Sequence, residues 1–160
     1  MVILGLDPGI ATTGYGIIKK DADNLSCVAF GCLSTPANME LPMRLLDIER
    51  GLEKLIKKHK PDRAAIEQLF FAKNTKTAIS VAHARGVILT TLAGSNVLID
   101  EYTPLQVKQA ITGYGRAEKI QLQKMVRLIL KLSRLPRPDD AADGLALAIC
   151  CAHSFHASTY

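Results

Sequence analysis

Four carboxylates, far apart along the chain, constrain this sequence more than any other feature. Asp7 and Glu67 each end a short apolar run, and Asp140 and Asp143 open an alanine-rich segment near the C-terminus. A carboxylate at the end of a buried strand is costly to desolvate unless it is paired, hydrogen-bonded or bound to a cation. If the four converge, they form an oxygen-rich site suited to Mg²⁺ or Mn²⁺. The pattern therefore predicts metal-assisted phosphoryl-transfer chemistry.

The order of predicted elements indicates a mixed α/β fold. Apolar runs and turn signals predict strands at residues 2–7, 13–19, 25–33, 63–67 and 97–102. Three- and four-residue apolar spacing and proline positions predict helices at residues 42–60, 75–93, just after 104, 118–132 and from 139 onward.

This order predicts a mixed five-stranded sheet flanked by helices, in which an antiparallel meander is extended by parallel βα units. Asp7 and Glu67 then end neighbouring parallel strands at the sheet edge where α/β proteins usually bind ligands. No repeat or linker divides the 160 residues, so we expect a single domain over 1–160. Small residues around Asp143 predict that the last helix approaches the sheet closely.

Composition favours a cytoplasmic protein. No apolar run reaches the roughly 18–20 residues that span a bilayer, and the N-terminus lacks the basic region of a signal peptide. We expect Cys27 and Cys32, five apart in a predicted strand, to face opposite sides and not to pair. Cys150 and Cys151, with His153 and His156 nearby, match no standard zinc spacing, which favours buried thiols over a metal site.

The positive charge is concentrated in one segment. Residues 104–137 hold eight basic side chains and one acidic one, which gives +7, whereas the whole chain carries +5 and the remainder therefore −2. A basic segment beside an acidic metal site favours a polyanionic substrate whose phosphates contact both. For any single lysine here, a solvated helix face is the simpler interpretation.

Taken in order, the motifs resemble the RuvC family of crossover junction endodeoxyribonucleases, which resolve Holliday junctions. The matching segments are 3–9 (ILGLDPG), 14–16 (GYG), 65–74 (AIEQLFFAKN), 84–86 (ARG), 106–109 (QVKQ), 117–119 (AEK) and 140–143 (DAAD). Asp-Pro-Gly alone is shared by many ribonuclease-H-like and actin-like proteins, but the whole series is specific. Ile10 departs from the small polar residue common in the family, and some relatives place histidine at the position of Asp140.

The resemblance implies a ribonuclease-H-like fold, a homodimer and a nuclease that uses Mg²⁺, or alternatively Mn²⁺, with two ions in each active site. Its four catalytic metal ligands fall on Asp7, Glu67, Asp140 and Asp143. Its junction-stacking aromatic falls on Phe70, and its phosphate-holding lysines fall on Lys108 and Lys119. The implied partners are four-way junction DNA and a branch-migration motor of the RuvA and RuvB type.

Within that scheme, Asp7 is the expected bridging ligand because it comes from the central strand. Glu67 and Asp143 are then expected to hold one metal each, and Asp140 to assist or to act on the nucleophilic water. The implied product is a nick with a 5′-phosphate and a 3′-hydroxyl. Ala78, Ala82 and Gly86 form a narrow face on the predicted helix over 75–93, which allows close approach either to the sheet or to a second subunit.

Three other functions compete with this interpretation. An actin-like phosphotransferase fits Asp7-Pro8-Gly9 but needs two duplicated domains, for which 160 residues are too few. A ribonuclease-H-like nuclease acting on RNA is disfavoured by the basic segment and by Phe70. A junction-binding module without catalysis is disfavoured because all four acids are present.

Overall fold

The computed structural model describes residues 1–68 and 75–155, with the backbone alone for residues 75–77. Its strands are β1 (Val2–Asp7), β2 (Thr12–Asp21), β3 (Asn24–Ser34), β4 (Arg63–Glu67) and β5 (Leu98–Tyr102). Its helices are α1 (Leu41–His59), α2 (Thr75–Gly94), α3 (Pro104–Thr112), α4 (Lys119–Ile129) and α5 (Asp139–Ser154).

The strands form one mixed sheet in the order β3-β2-β1-β4-β5. The pairs β1–β2 and β2–β3 are antiparallel, whereas β1–β4 and β4–β5 are parallel. The predicted architecture of a meander extended by parallel units is confirmed. In the β1–β4 register Leu6 pairs with Ile66, so that the next residues, Asp7 and Glu67, end their strands side by side.

Helices cover both faces of the sheet. On one face, α1 and α2 bury Ile48, Leu52 and Ile88 against the alternate side chains of β1 and β4. On the other face lies α5, with α3 and α4 packed around it. Because eleven of its sixteen residues are buried, α5 is the central helix of the fold.

The central helix lies unusually close to the sheet, because glycines face it on both elements. A methyl group added to Gly144 would lie 2.6 Å from the Tyr15 carbonyl carbon of β2, and one added to Gly5 would lie 2.6 Å from the Ala148 nitrogen of α5. Gly14 and Gly16 are equally crowded, against the backbone of Asp140 and Leu145 respectively. The predicted close approach of this helix is confirmed, and the sheet supplies three of the four glycines that permit it.

A β-bulge overturns the prediction that Cys27 and Cys32 face opposite sides. The ladder pairs Ile17 with Ala29 and Ile18 with Cys27, which leaves one extra residue on β3. A bulge of this kind shifts the alternation by one position. Cys27 therefore packs in the α5 core, and the thiol of Cys32 also lies on that side, where burial and then the charge of Asp140 raise its pKa. The two cysteines remain unpaired, as predicted.

The predicted helix over 118–132 is too long at its C-terminus. The observed α4 ends at Ile129, and Lys131 follows with a left-handed φ of 52°. Apolar spacing continues through Leu130 and Leu132, so the pattern alone does not mark this end. Lys131, which the predicted range placed on the helix, instead lies in the connection to α5.

Within the described part of the chain, none of the helices has the combination of length and apolar character that crossing a membrane requires.

We predict that Gly16→Ala destabilises the protein by about 2 kcal/mol or more, because the added methyl group meets the backbone of α5 rather than a movable side chain. Urea unfolding followed by circular dichroism measures the change. The matched control is Gly94→Ala, since a methyl group at Gly94 meets nothing within 4 Å. Equal stability of the Gly16→Ala variant and the wild type would show that α5 has room to move away.

Candidate active site

Two of the predicted acids meet at one edge of the sheet. Asp7 and Glu67 are the last residues of the parallel neighbours β1 and β4. In β1 the odd positions face α5, since Ile3 packs in the α5 core and Gly5 contacts Gly144. Asp7 continues that alternation, and Glu67 follows in the same way from Ala65. Both carboxylates therefore point to the face covered by α5.

The other two acids come from the first turns of that helix. Asp140 and Asp143 are three residues apart, so they share one face of α5. The carboxylate of Asp140 lies in the first turn, where the helix dipole favours negative charge. The contact of Gly14 with the Asp140 backbone holds this end of α5 against β2, directly beside Asp7, because Gly14 and Asp7 pair in the ladder.

Three of the acids form a tight group. Asp7, Asp140 and Asp143 each offer a carboxylate oxygen within 4.8 Å of the others. Glu67 lies outside this trio but lines the same pocket of about 200 Å³ as Asp7 and Asp143. Asp7 therefore belongs to both arrangements. The structure brings all four predicted acids to one place, and Asp7 is the acid that they share.

Mutual repulsion and burial disfavour the ionised forms of these acids. Burial raises the pKa of Asp7 most, and the charges of the other three acids add to it, so that the pKa reaches about 7 although Lys119 opposes the rise. Burial and then the charge of Asp143 raise the pKa of Glu67. Burial also raises the pKa of Asp143, although the hydrogen bond from Lys119 acts in the opposite direction.

Both predicted lysines line the acidic pocket. Lys119, the first residue of α4, donates a hydrogen bond of 3.0 Å from Nζ to Oδ2 of Asp143 and lies 3.8 Å from Asp139. Lys108 reaches the pocket from α3, whose capping box on Thr103 fixes the start of that helix just after β5. The pocket thus combines carboxylates with ammonium groups on one side, and Val107 and Leu122 form part of its apolar wall.

Buried hydroxyl groups hold the loop that follows Asp7. Oγ1 of Thr13 donates to the carbonyl of Gly9 at 2.8 Å, and Oγ1 of Thr35 donates to the carbonyl of Ile10 at 2.5 Å. Both threonines are buried. The loop around Pro8 is therefore tied to β2 and to the end of β3, which fixes the end of β1.

The donor set fits a hard divalent cation. The four side chains offer only carboxylate oxygens, which Mg²⁺ and Mn²⁺ prefer. Burial and then the charges of the other acids raise the pKa of Asp7, and Lys119 does not offset them. Among the described residues, Asp7, Asp140 and Asp143 are also the only cluster with the spacing of metal ligands. Cys150 and Cys151 are buried thiols, as predicted, and His156 lies outside the described residues.

A larger cavity, of about 600 Å³, lies between α3 and the C-terminal part of α5. Tyr102, Leu105 and Tyr114 line it together with Arg116, and none of its lining residues carries a carboxylate. We place the active site in the smaller pocket because only that one gathers acids able to bind a cation.

Other predictions had a mixed outcome. Phe70 lies outside the described residues, so its position stays a prediction. Sequence analysis missed the role of Gly5, Gly14 and Gly16, although glycines repeated on one face of a strand are a known signal of close backbone approach. It also gave no role to Arg85, which was noted only as part of a motif.

Comparison with known proteins identifies the same family as the sequence motifs do. The family model described as "Crossover junction endodeoxyribonuclease RuvC" matches residues 3–151. The RuvC protein of Syntrophomonas wolfei subsp. wolfei is 53% identical over 160 residues, which is all of this chain and 93% of the relative.

Solved structures agree with the sequence comparison. Thermus thermophilus RuvC in complex with Holliday junction substrate has a TM-score of 0.91 at 33% identity and covers 97% of this chain and 94% of its own. A second Thermus thermophilus RuvC structure has a TM-score of 0.89 at 32% identity, over 98% and 96% of the two chains. These neighbours confirm the resemblance and the ribonuclease-H-like fold.

We predict that Asp7→Asn stabilises the metal-free protein more at pH 8 than at pH 5, by about 2 kcal/mol. The pKa of Asp7 is raised from 3.8 to about 7, so the native state binds its proton more tightly than the unfolded chain does. Stability is therefore lost as the pH rises through about 4 to 7, and the amide removes this loss. Urea unfolding in chelator at both pH values measures it.

The control for this experiment is Glu53→Gln, which changes an exposed acid on α1. Its effect should stay within about 0.5 kcal/mol at both pH values. An Asp7→Asn effect that does not change between pH 5 and pH 8 would contradict the raised pKa.

Proposed function

Because the chain belongs to the RuvC family of crossover junction endodeoxyribonucleases, we propose that Asp7, Glu67, Asp140 and Asp143 form the metal-dependent centre at which it cuts DNA. The protein is a Holliday junction resolving endonuclease of DNA recombination and repair, as the sequence predicted. The observation that carries the proposed site is the convergence of three carboxylates within 4.8 Å at the sheet edge, with lysines lining the adjoining pocket.

We propose that Asp7 would be the ligand shared by two Mg²⁺ ions, or alternatively Mn²⁺ ions. The support for this role is that Asp7 shares the trio with Asp140 and Asp143 and the pocket with Glu67. Glu67 and Asp143 would then hold one ion each, and Asp140 would assist or act on the nucleophilic water. When bound, such ions activate a water and stabilise the charge that develops on the scissile phosphate and the leaving oxygen.

The protein's own cations position the substrate. Nζ of Lys119 pairs with Asp143 at the mouth of the acidic group, and Lys108 faces the same pocket from α3. Positive charge at this place neutralises the phosphates flanking the cut and holds the strand in register. Of the remaining basic residues of 104–137, Lys124 and Arg127 extend the positive charge along α4, and the others lie in the connections before and after that helix. Stacking of Phe70 on an unpaired base remains part of the proposal.

We propose that the protein acts as a homodimer through α2. Its sheet-facing side is formed by Ala84, Ile88 and Leu92, whereas Ala82 and Gly86 are exposed. This distribution favours the second of the two partners considered for the small-residue face, a second subunit. Small exposed residues let two helices approach closely, and two-fold symmetry presents two equivalent active sites to two equivalent strands of a junction.

Three further assignments complete the proposal. Residues 1–160 form one nuclease domain, since every described strand belongs to one sheet. The protein works in the cytoplasm, with which its four free cysteines agree. A branch-migration motor of the RuvA and RuvB type delivers the junction, a partnership taken from the family resemblance alone.

We predict that the purified protein introduces paired, symmetric nicks into a synthetic four-way junction in Mg²⁺, and none in chelator. Asp7→Asn should bind the junction within about twofold of the wild type and lower the cleavage rate by at least about a hundredfold, because it removes the shared ligand. Gel analysis of end-labelled strands measures cleavage, and fluorescence anisotropy measures binding.

Two controls test other functions. A linear duplex of the same sequence and an RNA–DNA hybrid should both be cut much more slowly than the junction. Junction binding without cleavage under every metal condition would support a non-catalytic binding module, and cleavage by Asp7→Asn at the wild-type rate would remove Asp7 from the mechanism.

We predict that Ala82→Arg converts the dimer to a monomer, because a long charged side chain cannot be buried in a close helix–helix contact. Sedimentation velocity on the free protein and on its junction complex measures the mass. The matched control is Leu128→Arg, which places arginine at an exposed position of α4 and should leave the dimer intact. A wild-type protein that stays monomeric with junction bound would contradict the dimer.

A further inference from the structure

The guanidinium of Arg85 links α2 to the end of the strand that carries Glu67. Nε of Arg85 donates to the main-chain carbonyl of Glu67 at 3.3 Å, and a terminal nitrogen lies 2.6 Å from Oε2 of Glu101. The Arg85 side chain is only 15% exposed. A largely buried arginine is costly without partners, and these two contacts pair its guanidinium with groups at one specific place on the sheet.

The side chain and the main chain of Glu67 are contacted from opposite faces of the sheet. Its carboxylate points to the α5 face, into the acidic pocket. Glu101 lies on the opposite face, since in β5 the neighbouring Asp100 bonds to Cys151 of α5 and side chains alternate along a strand. Arg85 also comes from that opposite side, because α2 packs there. The backbone of Glu67 is thus held from one side while its side chain acts on the other.

The contact from Arg85 adds a restraint at the end of β4 to those that the sheet supplies. Glu67 is the last residue of β4, and within the described residues the sheet hydrogen bonding continues beyond it with the bond from the Gln68 nitrogen to the Tyr102 carbonyl. A metal ligand has to be held within about 0.5 Å of its productive position. Substitution of a group that orients a ligand without touching the metal typically lowers metal affinity or activity by about 10–100-fold.

We propose that Arg85 is a positioning residue for Glu67, which fixes the strand end so that the carboxylate meets the metal site. This role rests on the proposed metal-dependent function. Arg85 itself touches neither the pocket nor the other three acids among the contacts described here. It acts through the Glu67 main chain, and Glu101 holds the guanidinium in place.

The chain contains a matched control on the same two strands. Arg63, at the start of β4, donates two hydrogen bonds of 2.8 Å to the carboxylate of Asp100 on β5. This pair resembles the Arg85–Glu101 pair in chemistry and in the burial of its arginine, which is 21% exposed against 15% for Arg85, whereas Asp100 is 20% and Glu101 40% exposed. It lies at the opposite end of β4 from Glu67. Breaking it should destabilise the fold without moving the metal ligands.

The experiment measures Mn²⁺ binding to the full-length protein without DNA, by the free-ion electron paramagnetic resonance signal. We expect Arg85→Met to weaken Mn²⁺ binding by about tenfold or more, and Arg63→Met to change it by less than about twofold. Thermal unfolding in chelator should show lower stability for both variants. Arg85→Lys keeps the charge but loses the planar fork, so its Mn²⁺ affinity should lie between those of Arg85→Met and the wild type.

The outcomes separate this role from the proposed function. Wild-type Mn²⁺ affinity in Arg85→Met, or an equal loss in Arg63→Met, would overturn the role of Arg85 and leave the metal site intact. A wild-type protein that binds no Mn²⁺ would overturn the metal site and this role with it. If Arg85→Met does not fold, the Mn²⁺ affinity of Arg85→Lys is compared with that of the wild type instead. An unchanged affinity in Arg85→Lys would overturn the proposal.

Discussion

The close contact between α5 and the sheet is the constraint on which the active site depends. Gly5, Gly14 and Gly16 on the strands meet the backbone around Gly144 on the helix, at separations that leave no room for a β-carbon. Dispersion attraction falls steeply with distance, so this contact is both tight and specific. It also fixes the distance of the helix from the sheet and the position of the helix along its own axis. As a result, carboxylates that are far apart in sequence lie within 4.8 Å of one another.

That convergence has an energetic cost. Packing acids together in a half-buried place raises the pKa of Asp7 to about 7, and the pKa of Glu67 and of Asp143 rise as well. In the absence of divalent ions, the hydrogen bond from Lys119 to Asp143 offsets part of this cost. Functional sites commonly concentrate perturbed acids in this way, because the same repulsion that destabilises the free protein favours cation binding. Stability and metal affinity are therefore linked through the same side chains.

The two faces of the sheet carry groups with different roles. The α5 face carries the acids and the lysine-lined pocket, whereas the α2 face carries the small exposed residues Ala82 and Gly86 and the Arg85 contact to the strand end. On the proposed function, chemistry takes place on one side while subunit contact and ligand support come from the other. The helix that would form the dimer interface is thus also the one that holds Glu67. A rigid five-stranded sheet between the two faces keeps both in register.

The sequence by itself determined the order of the strands along the chain, the four acids and the small residues of α5, because periodicity, turn residues and charge are local properties. The two lysines were singled out by the family resemblance. The sequence also predicted the parallel pairing that places Asp7 beside Glu67. Only the tertiary structure decided the rest. The bulge on β3 turned Cys27 and Cys32 to the same face, α4 ended at Ile129 although the apolar spacing continued, and Arg85 found its partners on two other strands. The bulge depends on how β3 pairs with β2, and the Arg85 contacts join segments that are distant in sequence, so the apolar pattern of one segment does not encode them.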